Sequence, residues 1–165
     1  MQTVERSIFF PFRQICDKGA RILLENYRAN ALERAAQAIP PKPLNAQETS
    51  ELINLLKNPP ENEEEFLVGL LSKRVPPGVD EAAYVKAGFL SAIAKGKEVC
   101  DAISPEQAVI LLGKMLGGYN ISTLVSLLKD QKLGELAAEQ LENIILLYDA
   151  FHDVVELANE GVETA

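Results

Sequence analysis

Few side chains in this sequence could carry out catalysis. His152 is the only histidine, and it lies between Phe151 and Asp153 in a segment with a helical apolar pattern. The sequence has no Gly-x-Ser-x-Gly nucleophile motif. It has neither the Gly-x-Gly-x-x-Gly nor the Gly-x4-Gly-Lys-Ser/Thr loop that binds phosphates. Because a lone histidine on a helix is usually a surface or partly buried side chain, a small enzyme built around His152 is the weakest of the alternatives.

Metal binding is not indicated either. Cys16 and Cys100 lie far apart, without a Cys-x-x-Cys pair, so we expect two free thiols. Four glutamates stand within residues 61–65, at the start of an expected helix. Carboxylates there stabilise the positive helix end, whereas consecutive helix positions do not converge on a cation. We therefore interpret the acidic cluster as helix stabilisation.

Residues 74–96 form the most distinctive stretch. Pro76 and Pro77 fix the backbone and Gly78 permits a sharp turn, so this loop is expected to be rigid. Asp80 is placed to cap the following helix with its side chain, and that helix carries one apolar stripe before a glycine. The pattern predicts a stiff loop that leads into a well-capped helix.

Residues 117–120, Gly-Gly-Tyr-Asn, are the one loop with a composition suited to binding. Two glycines permit close backbone approach, and Tyr119 and Asn120 add polar tips. The alternative is a purely local role, in which the glycines end one helix and Asn120 caps the next. The sequence favours the local role.

The remaining patterns predict a series of helices. Residues 45–48 and 104–107 each have the spacing of a capping box. One long helix is predicted over residues 132–159, about 40 Å if unbroken, with a bend near Asp149 as the alternative. Helical segments are expected near residues 21–38, 45–57, 61–74, 81–95, 105–116, 120–128 and 132–159.

These helices predict an all-α fold. The 165 residues are 47% hydrophobic with no tryptophan, so a core of aliphatic side chains is expected in one domain. Short connections and about 35–40 residues for each helix pair favour antiparallel pairs stacked as a HEAT-like α-solenoid, an α-α superhelix, over a closed bundle. We expect an extension at residues 1–22 (either a docked helix or partly disordered), a helical domain at 23–160 and a tail at 161–165.

Charge and hydropathy limit the partners. The net charge of −8 works against capture of nucleic-acid phosphates or anionic lipid. No apolar run reaches the length needed to span a bilayer, and no secretory signal is indicated. We expect a cytoplasmic protein without membrane contact.

Residues 74–90 closely resemble the N-terminal region of bacterial aconitate hydratase B, also called aconitate hydratase 2. Other segments agree in the same order: residues 24–28, 41–44, 55–60, 63–67 and 117–121. The resemblance covers about residues 24–160. Residues 1–22 have no recognised counterpart, because the family usually begins near Leu24.

The resemblance implies a HEAT-like helical domain that precedes the swivel and catalytic domains of an enzyme. That family isomerises citrate and isocitrate through cis-aconitate in the TCA cycle, using a 4Fe–4S cluster held by three cysteines. None of those ligands can be placed in this sequence. We therefore expect no catalytic, cofactor-binding or metal-binding residue in this chain, and a cluster in the catalytic domains of the parent enzyme.

The resemblance also implies a role in protein–protein contact, including dimerisation, and in access to the active site. The remaining domains of the parent enzyme are the expected partners. An autonomous regulatory or mRNA-binding module is the alternative, with RNA binding expected only in the parent context. The candidate interface residues are Arg74, Pro76, Pro77, Tyr84, Lys86, Tyr119 and Asn120.

Overall fold

The computed structural model describes residues 10–145, 147 and 150–165. Within these residues the regular secondary structure is helical throughout, which confirms the all-α prediction. The helices are α1 (Phe10–Ala35), α2 (Ala46–Lys57), α3 (Glu64–Lys73), α4 (Glu81–Ala94), α5 (Pro105–Gly113), α6 (Ile121–Leu127), α7 (Gly134–Glu142) and α8 (Ala150–Asn159).

Two predicted capping boxes are confirmed. The Asn45 side chain accepts a hydrogen bond from the Glu48 amide, and the Glu48 carboxylate accepts one from the Asn45 amide, both at 2.9 Å. Ser104 and Gln107 exchange the same pair of bonds at the start of α5, with Pro105 in the first turn. These contacts satisfy amides that have no partner inside the helix.

The ends of α4 follow the prediction only in part. Asp80 occupies the N-cap position, but its side chain makes no capping hydrogen bond, so that expectation is wrong. At the other end Gly96 has a φ of 65°, and the Lys97 amide donates to the Ala92 carbonyl at 2.8 Å. This left-handed glycine ends α4 as predicted.

The first helix is longer than the sequence pattern predicted. α1 runs without interruption from Phe10 to Ala35, so it crosses the expected division at residue 22. The division of the chain at 1–22, 23–160 and 161–165 stays a prediction, and residues 1–9 lie outside the described part. α1 ends before Pro40, where Ala38 has a φ of 55°.

The prediction of one long helix over residues 132–159 is wrong. α7 ends at Glu142, where the Asn143 side-chain amide donates to the Glu139 carbonyl at 2.8 Å, and α8 begins at Ala150. Both helices pack against the short α6, which requires the chain to turn between them. Asp149, the predicted bend, lies outside the described residues.

Neighbouring helices pack in chain order. α2 contacts α1, α3 and α4; α5 contacts α4, α6 and α7; and α8 contacts α6. This succession of local contacts is consistent with stacked helix pairs, although the HEAT-like detail stays a prediction. One core runs through the helices, and its largest fully buried apolar side chains are Leu52, Leu56, Leu67, Leu71, Leu90, Ile93, Ile103, Leu112, Met115, Leu124 and Val109.

No helix in the described ranges combines the length and the apolar character that a bilayer crossing requires.

Candidate interaction surface

Two loops that are distant in sequence lie against each other. We call residues 76–80 the proline loop and residues 116–120 the glycine loop. The Leu116 amide donates to the Pro77 carbonyl at 2.8 Å, and the Tyr119 hydroxyl donates to the Val79 carbonyl at 3.0 Å. The stretch that leads into α4 and the stretch that leads into α6 therefore form one continuous surface.

Gly117 allows this contact. A Cβ atom at that position would stand 2.0 Å from the Gly78 carbonyl oxygen and 2.4 Å from the Gly78 carbonyl carbon. The expectation of close backbone approach is therefore confirmed. The expectation that Gly117 and Gly118 end the preceding helix is wrong, since α5 already ends at Gly113.

Large apolar side chains are exposed together where the loops meet. Tyr84 and Tyr119 stack edge to face, with ring centroids 5.4 Å apart and planes at 78°. The exposed fractions are 65% for Tyr84, 39% for Tyr119, 72% for Val79 and 71% for Leu116. We call these four side chains the apolar patch. Several large apolar side chains exposed at one place mark a contact surface more often than scattered ones do.

A groove between α4 and α6 continues the apolar patch. It has a volume of about 280 Å³, and Tyr84 and Tyr119 line it together with Gly88 and Phe89. Deeper in the groove the Ser91 and Thr123 hydroxyl oxygens are 2.7 Å apart and share a hydrogen bond. The side chains that line the groove carry no charge, so it suits an apolar partner.

Lys86 is enclosed within the domain, although the sequence placed it among the candidate contacts. Its side chain is only 2% exposed. Burial and, to a smaller extent, the positive charge of Lys114 together lower the pKa of Lys86 to about 8. Lys86 therefore adds a cost to folding at neutral pH and is not presented to a partner.

Asn120 is also buried, with 1% exposure. Its side-chain amide donates to the Leu112 carbonyl at 2.7 Å and to the Met115 carbonyl at 3.3 Å. It thus adds a side-chain donor to the carbonyls of the last turn of α5 and the residues just after it, where the Leu112 carbonyl also accepts a bond from the Met115 amide at 3.0 Å. Asn120 occupies the predicted N-cap position of α6, but its side chain makes no capping bond there. The expectation that it offers a polar tip is wrong, because the side chain is buried.

The other candidate contacts flank the proline loop. Arg74 is half-buried and ends α3, and its carbonyl accepts a hydrogen bond from the Leu44 amide at 2.8 Å. Pro76 is half-buried and Pro77 is exposed. The structure brings Pro77 close to Tyr119 through the backbone contacts of the two loops, whereas Arg74 is held against the segment before α2.

Sequence reasoning did not identify Val79, Leu116 or Gly88 as part of this surface. Val79 and Leu116 each lie beside a glycine, and that neighbourhood is the one signal that could have suggested exposed loop positions. Gly88 interrupts an otherwise good helix sequence, which is a stronger signal.

The described residues offer no ligand set for an iron–sulfur cluster. Among them no group of three histidine, cysteine, aspartate or glutamate side chains could hold a metal ion. Cys100 is buried, and its thiol donates to the Leu56 carbonyl at 3.2 Å. A 4Fe–4S cluster needs several converging thiolates, which this arrangement does not provide.

The acidic cluster and the histidine have ordinary structural surroundings. The Arg28 guanidinium donates to both carboxylate oxygens of Glu63, at 2.6 and 2.7 Å, which joins α1 to the start of α3. Glu64 and Glu65 lie in the first turn of α3. His152 is exposed on α8, with its ring 6.1 Å from that of Phe151.

Comparison with known proteins identifies the family. Residues 26–165 match the family model described as the aconitate B N-terminal domain. The chain is 60% identical to aconitate hydratase B of Pseudomonas aeruginosa over 139 residues, which are 84% of this chain. It is 56% identical to aconitate hydratase B of Escherichia coli over 143 residues, or 87% of this chain.

In both comparisons the chain spans only 16% of the length of the curated relative. The same share is covered in aconitate hydratase B of Helicobacter pylori, at 39% identity over 137 residues. The family model matches most of the chain, and it does so with one named domain. The chain therefore belongs to the aconitate B N-terminal domain family.

Proposed function

We propose that this chain is the non-catalytic N-terminal helical domain of an aconitate hydratase, the enzyme that interconverts citrate and isocitrate. The observation that carries the proposal is the match of residues 26–165 to the aconitate B N-terminal domain, in relatives of which the chain spans 16%. The reacting groups and the 4Fe–4S cluster then belong to the remaining part of the enzyme, which works in the cytoplasm.

The geometry supports a role in protein–protein contact. The apolar patch is exposed, the side chains that line its groove are uncharged, and no group of three metal-ligating side chains converges among the described residues. Association removes such an apolar surface from water, and this burial is the main favourable contribution to the free energy of most protein–protein association. We include in this role dimerisation of the enzyme and control of access to its active site.

Deletion of residues 1–165 from the full-length enzyme tests the proposal. We expect the shortened enzyme to retain its iron–sulfur absorbance and measurable turnover, with a changed KM. Its sedimentation coefficient should fall by more than the lost mass of the domain explains, because the dimer should dissociate. A shortened enzyme with an intact cluster and no turnover at any substrate concentration would contradict the proposed non-catalytic role.

Binding of mRNA is the alternative role, and the net charge of −8 argues against it for this domain alone. Phosphate-driven binding weakens steeply with salt because bound counterions are released. A filter-binding titration of this chain over increasing salt should detect no salt-sensitive complex. Tight binding at low salt that disappears at high salt would support the alternative.

A further inference from the structure

We propose that the apolar patch and the groove between α4 and α6 form the docking site for the remaining polypeptide of the same enzyme chain. This inference rests on the proposed function and deepens it, because it names the surface and its occupant. The groove is lined by Tyr84, Gly88, Phe89, Ser91, Tyr119 and Thr123. No side chain in the described ranges fills it.

The size of the patch distinguishes a tethered partner from a second copy. Its four side chains expose on the order of 400 Å² of mostly apolar surface, comparable with the largest patch on an ordinary monomer. A stable dimer buries about 800 Å² on each partner, so this patch alone is too small to hold two free copies together. A segment of the same chain needs less area, because the tether gives it an effective concentration of order millimolar.

Gly88 gives independent support. Glycine inside a helix costs about 1 kcal/mol relative to alanine, so it needs a reason to be there. A Cβ atom on Gly88 would meet nothing within 4 Å, and the residue is exposed. Packing inside this domain therefore does not require glycine at this position. The absence of a side chain keeps the α4 backbone accessible from the groove, as a closely packed partner would require.

The surface is also held in place before any partner arrives. The bonds from Leu116 to Pro77 and from Tyr119 to Val79 fix the two loops to each other. The Ser91 and Thr123 hydroxyls bond to each other across the groove. Such pre-organisation lowers the ordering cost of association.

The lining indicates what kind of segment fits. A volume of about 280 Å³ lies at the low end for small-molecule sites, which are about 300–1,000 Å³. It has room for a few apolar side chains, and its uncharged lining suits them better than it suits a charged metabolite. The occupant is therefore a segment of the enzyme that presents neighbouring aliphatic or aromatic side chains.

Oxidative footprinting of side chains tests this proposal on the 165-residue chain and on the full-length enzyme. We expect Tyr84 and Leu116 to be modified severalfold more slowly in the full-length enzyme than in the 165-residue chain. Val99, which is 85% exposed, and Phe151, which is 56% exposed, report on other surfaces of the domain.

A matched pair of variants sharpens the test. Gly88 and Gly69 both lie inside helices, with open space where a Cβ would stand. G88Q in the full-length enzyme should restore the modification rate of Tyr84 to that of the 165-residue chain, whereas G69Q should leave the protection unchanged. Both variants should leave the helical circular dichroism of the 165-residue chain intact.

The outcomes separate the inference from the proposed function. Protection of Val99 or Phe151 without protection of Tyr84 and Leu116 would overturn the docking site and leave the domain role standing. Protection of Tyr84 in the 165-residue chain that increases with concentration would show a second copy in the groove and also overturn the proposal. If every described side chain is modified at the same rate in the 165-residue chain and in the full-length enzyme, both the docking site and the contact role are contradicted.

Discussion

The backbone at Gly117 lies against Gly78 so closely that a Cβ on Gly117 would stand 2.0 Å from the Gly78 carbonyl oxygen. This contact joins the loop before α4 to the loop before α6, and it sets the position of the exposed tyrosine pair. The candidate surface therefore depends on a backbone contact between two glycines more than on any polar side chain.

Substitution of Gly117 by alanine should destabilise the domain. The new methyl group meets backbone, which cannot move aside as a flexible side chain can, so we expect a loss of about 3 kcal/mol in the free energy of unfolding. Urea unfolding followed by circular dichroism measures this. G69A is the control, and it should gain about 0.5 to 1 kcal/mol because it replaces a helix glycine in open space. Equal effects of the two substitutions would contradict the contact.

The sequence predicts those structural features that depend on residues close together in the chain. The capping boxes at Asn45 and Ser104, the left-handed Gly96 and the helices between residues 46 and 113 follow from residue types and spacings within a few positions. The contact of Gly78 with Gly117 joins positions far apart in the chain, so no local pattern reveals it. The break between α7 and α8 departs from the predicted single helix for a similar reason, since packing of both helices on α6 overrides a continuous apolar pattern.

Lys86 should make stability depend on pH. Its pKa is lowered from 10.5 to about 8 in the folded state, so between these values the unfolded chain binds more protons than the folded one. The free energy of unfolding contributed by this group should therefore rise as the pH increases from 8 towards 10.5. Below pH 8 the cost of burying the charge is fully present.

Replacement of Lys86 by methionine should remove that dependence. We expect K86M to be more stable than the wild type at pH 7 by about 1 to 3 kcal/mol, with the difference shrinking as the pH approaches 10. Urea unfolding at several pH values measures both effects. K114M is the control and should keep most of the slope, because burial is the larger cause of the shift. A K86M protein with the wild-type slope would contradict the assignment.

Asn120 should stabilise the end of α5. N120A leaves the Leu112 and Met115 carbonyls without their side-chain donor, so we expect a loss of about 1 to 3 kcal/mol. N120D should be at least as harmful, because a carboxylate replaces the donor beside carbonyl oxygens at a negative helix end. Thermal unfolding checks both variants. N143A, which removes an exposed donor to the Glu139 carbonyl, is the milder comparison.

The Tyr119 hydroxyl should stabilise the loop contact by its bond to Val79. Y119F keeps the ring stack with Tyr84 and removes this bond, so we expect a loss of about 0.5 to 1.5 kcal/mol. Y84F is the matched control and should be nearly neutral, since no hydrogen bond of the Tyr84 hydroxyl is found within the described residues. Thermal unfolding should give Y119F a lower melting temperature than Y84F. The reverse order would contradict a stabilising bond from Tyr119 to Val79.

The most direct test of the central claim is an assay of citrate and isocitrate turnover by the purified 165-residue chain after cluster reconstitution, with the full-length enzyme as positive control. We expect no turnover and no stable iron–sulfur absorbance in the 165-residue chain, and activity in the full-length enzyme. Cluster-dependent turnover by the 165-residue chain alone would contradict a non-catalytic role.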